Sequence, residues 1–447
     1  MKKSLFVLTA LAVFAGCKTV QEARNVQKQE PAQYMPGERT VTPAEVGVTP
    51  GATLSITQLE AIALFSHPSI LQARQNVELA ELNVMRVKSN YKPTFAVNAG
   101  YARSTYNRDH NRPSWRTKES FTAAADFQML LWDFGKTDSQ IRQAALALVA
   151  AERRERESEN RVLLNVRLAH SALVRASSLH QVALEAVAQY KEHLDQMKDR
   201  FEVGKGTDYD RVKAEVDWVQ SQLEATTTSN NVETSKANLN RCLGFADDVL
   251  FRVEPMNVPH STNTLEQLMA RARENEPTLA SLRAQEKAAG AAVDQAIANL
   301  YPDITLGVSM EAGSGAWPLL WNLTGLGLIS QNIYNGGRDM LDIKSAVNEL
   351  HIARSKVAEY EQTLFYNLRK ALLDAQRAHD ALEVAKRTES LSADNLRIVN
   401  ERFAVGKASS IERTDAQVQH SNAQAAVVSA TFDDFDAQSN IAYLIGD

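Results

Sequence analysis

Arg200-Phe201-Glu202-Val203-Gly204-Lys205-Gly206-Thr207-Asp208 returns 202 residues later (402 − 200) as Arg402-Phe403-Ala404-Val405-Gly406-Lys407-Ala408-Ser409-Ser410. The spacing around the two copies is kept as well. Pro68 to Pro93 and Pro277 to Pro302 are both 25 residues, Gly135 to Gly204 and Gly337 to Gly406 both 69, and Gly204 to Gly244 and Gly406 to Gly446 both 40. Only the stretch from the second proline to the next glycine differs, 42 residues against 35. Unrelated helical stretches sharing a few residues would not reproduce three spacings, so the chain is a tandem repeat. Its copies cover residues 53–245 and 265–447, with a proline-bearing linker over 246–264.

Outward from each turn lie the longest elements. Lys136–Arg200 and Arg338–Arg402 each run 65 residues without a proline. As helices each would be about 100 Å long. The glycine of each Phe-x-Val-Gly-Lys supplies the positive φ that closes such a helix, and a returning helix follows. The charged stretch Glu152–Arg161 alternates in sign. Glu152/Arg156 and Glu157/Arg161 therefore read as i,i+4 pairs on a solvated face, not as a nucleic-acid patch.

Before each long helix the period changes to two. Phe95, Val97, Ala99 and Tyr101 alternate with Ala96, Asn98, Gly100 and Ala102, and Phe121–Leu131 and Ile304–Glu311 alternate likewise. One apolar face at this period predicts strands. Trp321–Tyr334 predicts a fourth strand, although Leu323, Leu326, Leu328 and Ile329 fit no single face. Two readings of the strands stay open. One is a soluble sheet. The other puts lipid on the apolar face and water on the face holding Asn98, Thr122, Asp126, Gln128, Ser309 and Glu311, in runs of about 10 residues that suit a barrel span. An open edge is not tolerated in lipid, so four strands would need further copies. Two copies give a barrel largely filled by side chains; three leave a lumen. Upstream, one helix per repeat is expected, about Ser55–Asn90 and Leu265–Asn299, broken or kinked early at His67-Pro68 and Glu276-Pro277.

Composition narrows the function. The 447 residues carry a net charge of −5, which gives no case for nucleic-acid binding. No apolar run reaches the roughly 20 residues of a transmembrane helix. The nine histidines show no metal-ligand spacing, and there is no phosphate-binding glycine loop or nucleophile elbow. A non-enzyme is expected. At the N-terminus, Lys2 and Lys3 precede the apolar Leu5–Val13 and then Phe14-Ala15-Gly16-Cys17. This resembles a bacterial lipoprotein signal over residues 1–16, with Phe14 where leucine is usual. It predicts a lipid on Cys17 and no other cofactor. The alternative is an ordinary secretory signal cut near Ala15. Lys18, not Asp, follows Cys17, so the resemblance implies the outer membrane. Residues 17–52 are polar, with four prolines, and read as a tether.

Together these pieces resemble the outer membrane efflux protein (TolC) family. The residues that carry the resemblance are His67-Pro68-Ser69 and Glu276-Pro277-Thr278, the strand-to-helix elements Gln128–Lys136 and Ser330–Arg338, and the turns at Phe201 and Phe403. Each motif is weak alone; the order, repeated twice over residues 53–447, is specific. The resemblance implies a fold that is mostly α with a small β part. It implies a homotrimer whose protomers give four strands each to a 12-stranded barrel in the outer membrane of a Gram-negative bacterium, with the long helices forming an α-barrel across the periplasm. It implies an exit duct served by a periplasmic adaptor and an inner-membrane pump. The alternative reading is a non-conducting periplasmic coiled-coil scaffold.

The resemblance also places function at the helix tips. Glu412 and Asp415, at i,i+3, match acidic residues that ring the family's closed entrance, and threefold symmetry gathers about six carboxylates there. Some relatives tie the tip shut with a tyrosine and an arginine. Phe403 and Ala408 stand at those positions and supply neither hydroxyl nor cation. Asp210 and Arg413 are the expected substitutes. Val203, Gly204, Lys205, Val405, Gly406 and Lys407 match the family's adaptor-docking turns.

Overall fold

The computed structural model describes residues 19–21, 23–24, 53–107, 115–204, 206–245, 252–253, 264–314 and 320–446. The signal peptide, Cys17, Lys205, nearly all of the tether and most of the 246–264 linker lie outside the described residues. The first repeat runs β1 (Thr53–Leu54), α1 (Ile56–Ser66), α2 (Pro68–Lys88), β2 (Thr94–Asn107), β3 (Trp115–Trp132), α3 (Lys136–Glu202) and α4 (Asp208–Cys242). Between the repeats, β4 (Arg252–Val253) pairs in parallel with β1, a contact the sequence did not suggest. The second repeat runs α5 (Leu265–Asn275), α6 (Pro277–Ala298), β5 (Asp303–Ser314), β6 (Leu320–Ser330), α7 (Arg338–Ala404) and α8 (Ser410–Ile445).

The single upstream helix expected in each repeat is two. Proline cannot donate to the preceding turn, but it suits the first position of a new helix. His67 therefore ends α1 and caps α2, its Nδ1 accepting from the Ser69 N–H at 3.2 Å. Glu276 does the same work between α5 and α6. Its buried carboxylate accepts from the N–H groups of Thr278 (3.0 Å) and Leu279 (2.5 Å).

Four antiparallel strands form one sheet in the order β2-β3-β5-β6. Register settles the faces. Ala96, Asp126, Ser309 and Thr324 lie side by side, as do Asn98, Ala124, Glu311 and Asn322. On this face Asp126 accepts from Asn98 (3.2 Å) and from Ser309 (2.8 Å), a polar network across three strands. The other face carries Phe95, Phe127, Val308 and Gly325 in one row and Val97, Ala125, Met310 and Leu323 in the next. β6 pairs in the same register, but its side chains do not follow the same alternation throughout. Its apolar signal was confused because Gly325 and Gly327 hold the apolar face, while Leu326 and Leu328 lie on the other. At the sheet end nearest the helices, Phe134 stacks on Tyr301 (5.8 Å) and meets Trp132 edge-on (6.1 Å). Aromatic clusters of this kind sit at membrane–water boundaries.

α3 and α7 are each 67 residues long, about 100 Å at 1.5 Å per residue. The first core packs Val162, Val166, Leu239 and Leu243; the second packs Leu364, Leu368, Ile441 and Ile445, each 202 residues further on. The conserved 40-residue spacing has a steric reason. Gly244 (φ +81°) and Gly446 (φ +85°) end α4 and α8 against the proline breaks, where an added Cβ would lie 2.9 Å from Ser66 O and 2.7 Å from Asn275 O. Gly244→Ala is expected to cost about 1–3 kcal/mol, from left-handed strain and backbone contact together. Thermal melting of the detergent-solubilised protein checks it, with Gly290→Ala as the control, whose Cβ meets nothing within 4 Å inside a helix and should not lower the melting point. Equal melting points would remove the steric account. Among the described residues no helix is long and apolar enough to cross a membrane.

Candidate functional site

The two Gly turns sit at the end of the hairpins farthest along the chain from the sheet. Gly204 (φ +72°) and Gly406 (φ +73°) take the left-handed conformation that closes α3 and α7. Thr207 and Ser409 then cap α4 and α8, accepting from the N–H groups of Asp210 (3.2 Å) and Glu412 (3.1 Å). Val203 and Val405 are both 68% exposed, so each turn presents an apolar side chain to solvent. Lys407 donates its N–H to Arg402 O at 2.8 Å.

Glu412 and Asp415 are exposed on the first turns of α8. Asp210 and Arg413 do not bond to each other. Asp210 accepts from the Thr207 hydroxyl at 2.6 Å and is held on its own helix. Arg413 instead bridges α7 of its own repeat and α3 of the first. Its Nε donates to Asn400 Oδ1 (2.9 Å), and its Nη1 to Gln196 Oε1 (2.6 Å) and His193 Nδ1 (3.0 Å). The far nitrogen of His193 lies 3.2 Å from Ser410 Oγ. An arginine cannot accept, so His193 must be neutral, with its proton on Nε2 toward Ser410. Burial first, and then the Arg413 charge, push the His193 pKa down to about 4.

Phe403 is buried beneath this network with Leu194, Met197 and Ala214. Arg200 lies 4.2 Å over its ring and donates to Phe403 O at 3.3 Å; Arg413 lies 5.3 Å from the same ring. The ring is thus held by two cations from opposite repeats. Of the residues expected at the gate, Phe403 and Arg413 come together, while Asp210, Glu412 and Asp415 stay outside their network. The residues the sequence missed are His193, Gln196, Arg200 and Asn400. His193 and Gln196 are an i,i+3 pair on one face of α3, a pattern too common to single them out. Among the described residues no His, Cys, Asp and Glu group could hold a metal ion.

A tandem helix–strand–helix protomer with polar and apolar sheet faces and a two-turn tip now meets known proteins. The family model described as "Outer membrane efflux protein" matches residues 61–245 and 268–447. The chain belongs to the outer membrane efflux protein family. It is 23% identical over 397 residues to the outer membrane efflux protein BepC of Brucella suis biovar 1, covering 86% of this chain and 84% of the relative. The solved outer membrane protein VceC of Vibrio cholerae superposes with a TM-score of 0.75 at 16% identity, over 88% of this chain and 96% of that one. The Campylobacter jejuni outer membrane channel CmeC gives 0.76 at 16% identity, over 93% and 94%. The mostly helical, tandem-repeat protomer with a small sheet is the fold of these channels, and the family is one of outer membrane channels. The scaffold reading is not favoured.

Proposed function

We propose that three copies of this chain close into a duct through the outer membrane of a Gram-negative bacterium. It passively conducts substrates handed over by a periplasmic adaptor and an inner-membrane pump. The observation that carries the reading is the sheet: a hydrogen-bonded polar face, an apolar face and two unpaired edge strands, standing on helices of about 100 Å. With an even number of strands per copy, β6 of one protomer meets β2 of the next antiparallel, and closure removes every edge. The polar face then lines the lumen. The exposed Glu412 and Asp415 of three copies form the acidic ring at the tip, and the exposed Val203 and Val405, with the flanking Gly204, Lys205, Gly406 and Lys407, form the adaptor-docking rim. Cys17 carries the lipid that adds an anchor to the barrel.

Single-channel recording from the detergent-purified protein tests the reading. A small, cation-selective conductance is expected, because clustered carboxylates attract cations and repel anions. Glu412→Gln/Asp415→Asn should lose most of that selectivity while still conducting. Absence of conductance from protein shown to be inserted would overturn the duct; selectivity unchanged in the double variant would move the ring elsewhere.

A further inference from the structure

The one stretch in which the two repeats differ in length, 42 residues against 35, holds the strand hairpins. β5 and β6 are 12 and 11 residues long, enough for the roughly 9–11 residues of a barrel span. β2 and β3 are longer, at 14 and 18. β3 loses its β5 partner beyond Phe121, which pairs with Ser314, yet stays paired with β2 as far as Trp115, opposite Asn107. Residues 102–107 and 115–120 therefore project about 20 Å past the hairpin of the second repeat, at the sheet end away from the helices.

Register assigns the charges of this projection to faces. Lys118 stands opposite Ser104 and Arg116 opposite Tyr106, in rows that continue those of Asp126 and Asn98 outward, so both exposed cations lie on the polar face. Ala102, Ser104, Tyr106 and Ser120 complete that face, so among the described residues of the projection no carboxylate offsets them there. Arg103 and Glu119 lie on the opposite face and pair with each other at 3.7 Å. Deeper in, the strands carry Asp126 and Glu311 on the polar face and, among the described residues, no cation. Glu311 is level with Ala124, which is six residues (124 − 118) and so about 20 Å along β3 from Lys118. Charges are screened over about 10 Å at 0.1 M salt, so the two zones do not cancel each other.

We infer that the longer hairpin of the first repeat builds a cationic collar at the outer mouth, in series with an acidic zone inside the barrel, and that this collar draws anionic solutes in from outside and holds cationic ones off. This rests on the trimeric-duct reading, in which closure brings the Arg116 and Lys118 of three copies around one opening. Rings of arginine and lysine favour anions, and rings of carboxylates favour cations. Among the described residues the second repeat has no counterpart, because β5 ends at Ser314 and β6 begins at Leu320, short of the collar. A closed tip limits the current, so the collar is read from what reaches the barrel wall and not from conductance.

Three single cysteines in the membrane-embedded protein test it: Ser120→Cys beside the collar, Ala96→Cys opposite Asp126, and Val97→Cys on the apolar face. Each is treated with an anionic and a cationic methanethiosulfonate, the sulfonatoethyl and trimethylammonioethyl reagents, whose fixed charges keep them out of lipid. Labelling is scored by mass on the peptide that holds the new thiol, and each rate is divided by that of the same thiol in unfolded protein. Ser120→Cys should favour the anionic reagent by roughly tenfold, since clustered charges set up potentials of several kT. Ala96→Cys should favour the cationic reagent, and Val97→Cys should react with neither. Arg116→Gln/Lys118→Gln should abolish the preference at Ser120→Cys and leave that at Ala96→Cys. A Ser120→Cys thiol with no preference, or with one that survives the double variant, would overturn the collar. Rapid labelling of Val97→Cys would instead remove the barrel, and the duct reading with it.

Discussion

Arg413→Ala is expected to raise the mean conductance of the channel at neutral pH by about tenfold or more. The side chain makes three hydrogen bonds, to Asn400, Gln196 and His193, from a guanidinium that also flanks the buried Phe403 ring. Hydrogen bonds to a charged group each contribute about 1.5–3 kcal/mol, so the three bonds of each copy would bias the tip toward closure by about 5–9 kcal/mol. That is enough to keep a duct shut and little enough for a docking partner to reverse. Arg413→Lys keeps the charge but cannot reach three planar acceptors, and should fall between. Bilayer recordings decide it. An Arg413→Ala channel indistinguishable from the wild type would mean that the network is only a packing contact.

The same network makes a signed pH prediction. His193 has a pKa of about 4 in place, against an ordinary value of 6.5. Released histidine therefore binds its proton first. The closing contribution is complete above about pH 6.5 and is lost progressively as the pH falls toward about 4. Arg413 and Arg200 oppose protonation and Asp217 and Asp210 favour it, but burial outweighs all four. His193→Gln keeps a neutral acceptor without a titrating group. It should stay closed at neutral pH and lose the acid-induced opening between those limits, while Glu412 and Asp415 remain as in the wild type. An acid response unchanged in His193→Gln would remove His193 as its source.

Most of the architecture was legible because it is a matter of length. A repeat shift of 202 residues, proline breaks and closing glycines are one-dimensional signals, and packing had only to follow them. The split of the first helix into α1 and α2 was legible as a break or kink at Pro68, not as a shared cap at His67. β6 was obscured by chemistry. Glycines at 325 and 327 remove the apolar signal from the face that needs it, and only pairing with Thr305–Val308 assigns the faces. Of the tip network only Phe403 and Arg413 were legible, and only through the family resemblance; their partners were not. His193 and Arg413 are 220 residues apart, and what joins them is the packing of α8 on α3, which no local pattern encodes. Asp210 looked like the natural partner of Arg413 because opposite charges attract. Within the protomer its carboxylate, three residues after the cap Thr207, accepts from that hydroxyl instead.

The face assignment carries the largest effect of all. Val308→Lys places an ammonium on the apolar face, in the row of Phe95, Phe127 and Gly325. Ser309→Lys places the same side chain one residue away, on the polar face, beside Asp126. A lysine on the lipid side of a barrel costs about 2–4 kcal/mol near the midplane. Three copies would lose about three times that, comparable to the whole stability of an ordinary domain. Val308→Lys should therefore give little or no folded trimer, scored as a heat-modifiable species in membranes. Ser309→Lys should assemble at wild-type levels, because its charge meets water and a carboxylate. Its cost should appear in function, as a conductance less selective for cations. The pair separates a barrel from a soluble sheet, since a soluble sheet would accept a lysine on whichever face is uncovered. Equal assembly of both variants would place the apolar face against protein or water and remove the membrane span.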